Sequence, residues 1–372
     1  MQTRFFKRYR RLVLLAVGLA FTVIMLGAYT RLVDAGLGCP DWPGCYGFLT
    51  VPHSVHDIAL AAQRYPESPV EHHKGWPEMV HRYAASSLGL MIFSIAALSL
   101  WRRRLQDKAL PLGLPLALAA LVVCQGLFGM WTVTLKLWPQ VVSAHLLGGF
   151  TTLSLLFLLW LRLSGSKDKT NVSNDQNVSN QQSVSNYQNR VIFGLLLVVA
   201  QIFLGAWTAA NYAALACPDF PTCQGAWLPG TDFSNAFHLT QHVGPNYLGG
   251  QLDNDARVTI HLTHRLGALL VTSYWLVLSL QMLKSNPEAS IRRAIYFVLA
   301  ALTLQVGLGV LNVLLLIPLP VALLHNLGGA CLLLMIVQLT YRVFDHEKRL
   351  ANVSVKDAVV MAHSNHPRVE AQ

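Results

Sequence analysis

Seven or eight apolar runs of about 20 residues cut this chain into lengths that match a bilayer, because roughly 30 Å of hydrocarbon takes about 20 helical residues to cross. They fall at Leu12–Val33, Val80–Leu100, Leu112–Thr134, Val141–Leu161, Val191–Ala210, Ile260–Leu283, Ala294–Leu316 and Val321–Tyr341. Only Pro318 and Pro320 divide the last two, which is the faintest boundary of the set. With 53% hydrophobic and 12% charged residues and a mean hydropathy of +0.42, the chain has too little polar surface to close a water-soluble globule. The expected class is an all-α integral membrane protein with eight transmembrane helices.

A net charge of +10 raises the question of a nucleic-acid partner, but its distribution answers otherwise. Arg4, Lys7, Arg8, Arg10 and Arg11 precede the first run, Arg102, Arg103, Arg104 and Lys108 follow the second, and Lys284, Arg292 and Arg293 follow the sixth. The long segments Asp34–Glu78 and Asn211–Thr259 are poor in Lys and Arg, as translocated loops usually are. The charge is therefore topological: no nucleic acid is expected, and both termini are placed in the cytoplasm with the protein in a bacterial inner membrane. The first run has a basic start like a signal peptide, yet it is too long and no small-residue cleavage site follows, so it reads as a retained helix.

The chain repeats itself. Gly27-Ala28-Tyr29-Thr30 and Cys39-Pro40-Asp41-Trp42-Pro43-Gly44-Cys45 return as Gly205-Ala206-Trp207-Thr208 and Cys217-Pro218-Asp219-Phe220-Pro221-Thr222-Cys223, at an offset of 178. His81-Arg82 returns as His264-Arg265 (offset 183), Gln125 as Gln305 and His145 as His325 (both 180), with Gly148-Gly149 answering to Gly328-Gly329. Each unit has an even number of spans, so both copies cross in the same sense, giving two tandem four-helix bundles related by a pseudo-two-fold axis near the membrane normal. The expected divisions are an N-terminal half at 1–163, a flexible Asn- and Ser-rich cytoplasmic linker at 164–189, a C-terminal half at 190–345 and a cytoplasmic tail at 346–372. Two Asn-Val-Ser matches in the linker fit the glycosylation pattern but fall on its cytoplasmic side.

The four repeated histidines lie at one depth. His81 stands 21 residues before Arg102, His264 20 before Lys284, and His145 and His325 17 before Arg162 and Arg342. At 1.5 Å per residue all four are roughly 26 to 31 Å from the inner edge, in what read as the first turns of their helices. Histidines two helices apart at one depth can face each other across a bundle core and offer two axial ligands to a haem iron. Hydrogen bonding to loop carbonyls is the bland reading of any one of them, and zinc is the weaker metal reading for want of a third and fourth ligand. Gly148-Gly149 and Gly328-Gly329 admit a flat macrocycle or serve helix packing alone. Arg82 and Arg265 suit haem propionates or simply snorkel to headgroups.

The halves differ beside the first histidine of each pair. Glu78, three residues before His81 and on its helix face, is answered by His261. A carboxylate there can stabilise a developing cation or move protons, or it can cap its helix. Cys39 and Cys45, and Cys217 and Cys223, each enclose five residues in translocated loops, where disulfides persist; thiol exchange with a partner is the sharper alternative. Cys124 and Cys331 lie within spans as packing residues, and His53, His56, His72, His73, His238 and His242 read mostly as solvated loop side chains.

Taken together, Glu-x-x-His-Arg at Glu78–Arg82, the second His-Arg at 264, and His145 and His325 make the chain resemble the haem A synthase family over nearly all eight spans. The resemblance implies oxidation of the C8 methyl group of haem O to the formyl group of haem A, for haem-copper terminal oxidases. It implies haem O as substrate on His81 and His145, haem b as cofactor on His264 and His325, and Glu78 as the carboxylate that stabilises a carbocation at C8, with stepwise hydroxylation as the competing route. Implied partners are haem O synthase, membrane lipid and an electron acceptor for which quinone is a candidate; the sequence leaves open whether the chain forms a homo-oligomer. A diheme b-type electron carrier between quinol and an outer partner is the alternative function, and a parallel-repeat transporter a third.

Overall fold

The computed structural model describes residues 2–105, 110–165 and 187–364, so most of the expected 164–189 linker and the end of the expected tail lie outside the described residues. The described chain is helical: α1 (Gln2–Leu32), α2 (Val55–Arg64), α3 (His72–Arg104), α4 (Gly113–Thr134), α5 (Pro139–Gly165), α6 (Gln188–Ala210), α7 (Phe233–Ala236), α8 (Asn254–Lys284), α9 (Ala289–Leu314) and α10 (Leu319–Ser364). All of these except the short α2 and α7 are long and apolar enough to cross a membrane, and the eight runs fall on them in order, with only Val33, Leu112, Leu315 and Leu316 beyond the helix ends. The protein is an all-α multi-pass membrane protein.

The helices outrun the hydrocarbon pattern. α3 and α8 begin eight and six residues before their apolar runs, and α10 continues to Ser364 where a tail was expected from 346. Beyond the apolar stretch α10 is supported by ion pairs: Arg349 Nε lies 3.5 Å from Asp345 at i,i+4, and its Nη2 3.0 Å from Glu288 at the start of α9. The faint boundary between the last two runs is decided by backbone rather than composition. Leu316 and Ile317 both adopt left-handed conformations, and Ile317 N donates to Asn312 O at 2.7 Å, closing α9. Lys136 and Leu137 close α4 in the same way 180 residues earlier, with quite different side chains.

Neighbour relations give the architecture. α1 packs on α3, α3 on α4, α4 on α5 and α5 back on α1; α6, α8, α9 and α10 form the matching ring. The rings meet through α5 on α6, α1 on α10 and α5 on α10, a set that maps onto itself when the halves are exchanged. One buried core runs across this seam, joining Val13, Leu153 and Leu156 of the first half to Val198, Leu332 and Ile336 of the second. The axis itself is visible where residues bond to their own repeat mates: Arg31 donates to Ala209 O, and the Tyr212 hydroxyl donates to Asp34 Oδ1 at 2.8 Å, each pair being 178 apart.

Candidate functional site

At one end of each bundle the two cysteine pairs are disulfides, Cys39–Cys45 and Cys217–Cys223, with Cα atoms 4.8 and 4.6 Å apart. Each closes a hairpin around an aspartate. Asp41 accepts from Tyr46 N at 2.6 Å and Gly47 N at 2.8 Å; Asp219 accepts from Gln224 N at 2.6 Å and Gly225 N at 3.0 Å. The Thr222 hydroxyl, with those N–H donors, holds the Asp219 carboxyl down at about 2, because every one of these bonds favours the ionised form. Tyr46 and Gln224 are left-handed and are followed by glycines that are left-handed too, which is what lets the chain turn back at both places.

These loops are what the two arginines hold. Arg82 Nη1 donates to the carbonyls of Asp41 (2.9 Å), Pro43 (3.2 Å) and Gly44, while its Nη2 donates to Glu78 Oε1. Arg265 donates to Thr222 O, Cys217 O and Asp219 O at 2.8 to 2.9 Å. A planar guanidinium offers five donors in a fixed fork, which matches several loop carbonyls at once, whereas a lysine presents a single ammonium on a flexible stem.

Glu78 is 4% exposed, and its other oxygen accepts from Cys39 N at 3.0 Å. It lies seven residues into the helix counted from the N-cap Glu71, so its carboxylate bonds to the disulfide loop and Arg82 and does not cap α3. His261 occupies the equivalent buried place in α8, 5% exposed, and its Nδ1 has no partner among the described residues.

The histidines stand deeper in their helices than first turns, since polar turns of α3 and α8 precede the hydrocarbon run. The rings of His81 and His145 face each other across the first bundle with centroids 6.5 Å apart and planes at 90°. Two imidazoles bound to one metal through nitrogens about 2 Å away have centroids roughly 6 Å apart, so this pair already has the separation of two axial ligands. The Nδ1 atoms of both are buried without a hydrogen-bond partner. Among the described residues no three His, Cys, Asp or Glu side chains converge, so the His81–His145 pair suits a metal that brings its own equatorial ligands. Donor type and separation both fit a haem iron.

Each histidine rests on a glycine of the adjacent helix. A Cβ on Gly27 would meet His81 Cε1 at 2.9 Å, on Gly129 His145 Cε1 at 3.5 Å, on Gly205 His264 Cε1 at 3.2 Å and on Gly309 His325 Cε1 at 3.1 Å. Gly148 and Gly328 have another purpose: added Cβ atoms there would lie 1.7 Å from Gln125 Nε2 and 2.3 Å from Gln305 Oε1, so these glycines make room for a glutamine amide.

Residues 10–337 match the family model described as cytochrome oxidase assembly protein. A haem A synthase of Shewanella oneidensis is 42% identical over 330 residues, covering 88% of this chain and 95% of that protein. The chain belongs to the haem A synthase family. A haem A synthase of Agrobacterium fabrum is 28% identical over 336 residues, covering 84% of each, and one of Chelativorans is 26% identical over 325 residues.

Within the haem A synthase framework, sequence reading located the histidines, Glu78 and the cysteines but missed three things. Gly129 and Gly309 repeat at an offset of 180 and could have been found that way. Gln201 bonds His264 through Nε2, 3.0 Å from the ring Nδ1, and has no glutamine counterpart in the first half, so the repeat gave no sign of it. The third is a strap. The second half's outer loop reaches over the first half's α4–α5 turn, where Trp138 Nε1 donates to Gln241 O (3.1 Å), Gln140 Nε2 to Leu239 O (3.0 Å) and Tyr247 N to Lys136 O (3.0 Å). His238 and His242 belong to this strap, whereas His72 and His73 open α3.

Proposed function

We propose that this member of the family oxidises the C8 methyl group of haem O to the formyl group of haem A, with haem O held by His81 and His145 and a resident haem b by His264 and His325. The observation that carries the assignment of halves is the buried, doubly bonded Glu78 beside the first pair, where the second half has His261. The net change is a methyl group and water becoming a formyl group with release of four protons and four electrons. Haem b, when bound, supplies a one-electron path toward an acceptor, for which a membrane quinone is the candidate.

The chain's own residues do the positioning. His81 and His145 fix the substrate from both faces, and Gly27 lets the His81 ring approach α1. Glu78 shares the His81 face of α3, and its charge, kept in place by Arg82 and Cys39 N, stabilises positive charge that develops on the methyl carbon as electrons leave. Arg82 and Arg265 tie the disulfide loops to α3 and α8, and the second-half strap is tied to the first half's α4–α5 turn. Disulfides at one end and arginines and lysines at the other support an inner-membrane orientation with the basic end in the cytoplasm, and haem O synthase is the natural supplier of substrate.

Coexpression with a haem O synthase in a host lacking haem A is expected to yield haem A in the extracted pigments. Unchanged haem O together with a redox-active haem would instead favour the diheme carrier. Gly27→Val should displace His81 by about half an ångström and lower haem A yield roughly tenfold. Gly18→Val, which meets nothing within 4 Å, should leave the yield unchanged.

A further inference from the structure

The two histidine pairs differ in what stands behind them. In the second half, Gln201 Nε2 lies 3.0 Å from His264 Nδ1 and donates to His264 O at 2.9 Å, and Gln305 Nε2 lies 3.2 Å from His325 Nδ1. In the first half, Nδ1 of His81 and of His145 has no such partner. The residue equivalent to Gln201 is Val23, whose main-chain carbonyl lies toward His81 without meeting hydrogen-bond geometry.

The difference is built into the packing. A Cβ on Gly267 would lie 2.3 Å from Gln201 Oε1, so α8 is hollowed at that point to admit the amide. The first half has Ala84 there, opposite the shorter Val23. Gln and Gly on one side, Val and Ala on the other, are matched pairs.

We infer that Gln201 is a positioning residue that makes the second site a retaining site, while the lack of its equivalent leaves the first site able to release its haem. This rests on the assignment of resident haem b to His264 and His325. An amide serves either state of the ring: Nε2 donates to a bare Nδ1, and Oε1, buried here without a partner, accepts from Nδ1–H once Nε2 of the histidine binds iron. Partners of this kind orient a ligating histidine and raise its basicity, and losing one typically costs roughly 10- to 100-fold in metal affinity. A cofactor must outlast many turnovers, whereas a product must leave.

The test is haem loss from the purified full chain to excess apomyoglobin, with the reduction potential of the retained haem titrated in parallel. Gln201→Val/Gly267→Ala, which imports the first half's own pair, should lose the second-half haem roughly 10- to 100-fold faster and shift its potential upward. Gln201→Glu, which keeps an acceptor and strengthens it, should hold the loss rate near wild type and shift the potential downward. Val23→Gln/Ala84→Gly should slow release from the first site. Unchanged loss rate and potential in the Gln201→Val/Gly267→Ala protein, with haem absent from His264→Ala, would overturn the inference and leave the site assignment standing. Full haem retention in His264→Ala would overturn both.

Discussion

Alanine at His81 or at His145 is expected to cut haem A formation by more than about a hundredfold while the second half keeps its haem b absorbance. The two rings face each other 6.5 Å apart and nothing else in the first bundle offers an imidazole at that depth among the described residues. On the proposed assignment, removing either one would leave the substrate iron with a single protein ligand and the macrocycle free to tilt. The measurement is pigment extraction for product alongside a reduced-minus-oxidised spectrum for the retained haem. Loss of the b-type spectrum in these two variants, with retention in His264→Ala and His325→Ala, would reverse the assignment of the halves.

Glu78→Gln should lower turnover by about 100- to 1,000-fold with haem content unchanged, the scale on which one removed electrostatic group acts on a transition state. Glutamine has the same shape, so its carbonyl can still accept from Cys39 N, and Arg82 keeps its three loop carbonyls. What disappears is the negative charge, together with the oxygen that accepts from Arg82 Nη2. Glu78→Ala should add a stability loss of about 1 to 3 kcal/mol, because Cys39 N is then buried without an acceptor. Comparing thermal unfolding of the two variants separates holding the loop from acting on the substrate. Full turnover in Glu78→Gln would show that the charge is not used, and Glu78 would then be a loop anchor only.

Arg82 and Arg265 illustrate how a site residue can be recognised from sequence while its contacts stay hidden. Their place beside the histidines was plain from the repeat, and propionates were a reasonable partner for a guanidinium at an interface. Apart from the Glu78 carboxylate that Arg82 also meets, the atoms they bond are main-chain carbonyls of the disulfide loops, about 40 to 48 residues away in the chain. Main-chain carbonyls carry no residue signature, so no pattern of letters could announce them. The same holds for Glu78, whose partner on one side is the amide of Cys39.

The sequence by itself determined the eight spans, the duplication and the two cysteine pairs. Each of these is written in a local period or an exact repeat: hydrocarbon thickness imposes about 20 apolar residues per crossing, and a copied unit returns its residues at a fixed offset. Tertiary structure alone decided how far α3, α8 and α10 run past the apolar stretch, that the second half's loop straps the first half, that glycines floor the histidines, and that Gln201 stands behind His264 where Val23 stands behind His81. Those features depend on hydrogen bonds and close packing between residues far apart in the chain, whose cost or gain exists only once the helices are side by side.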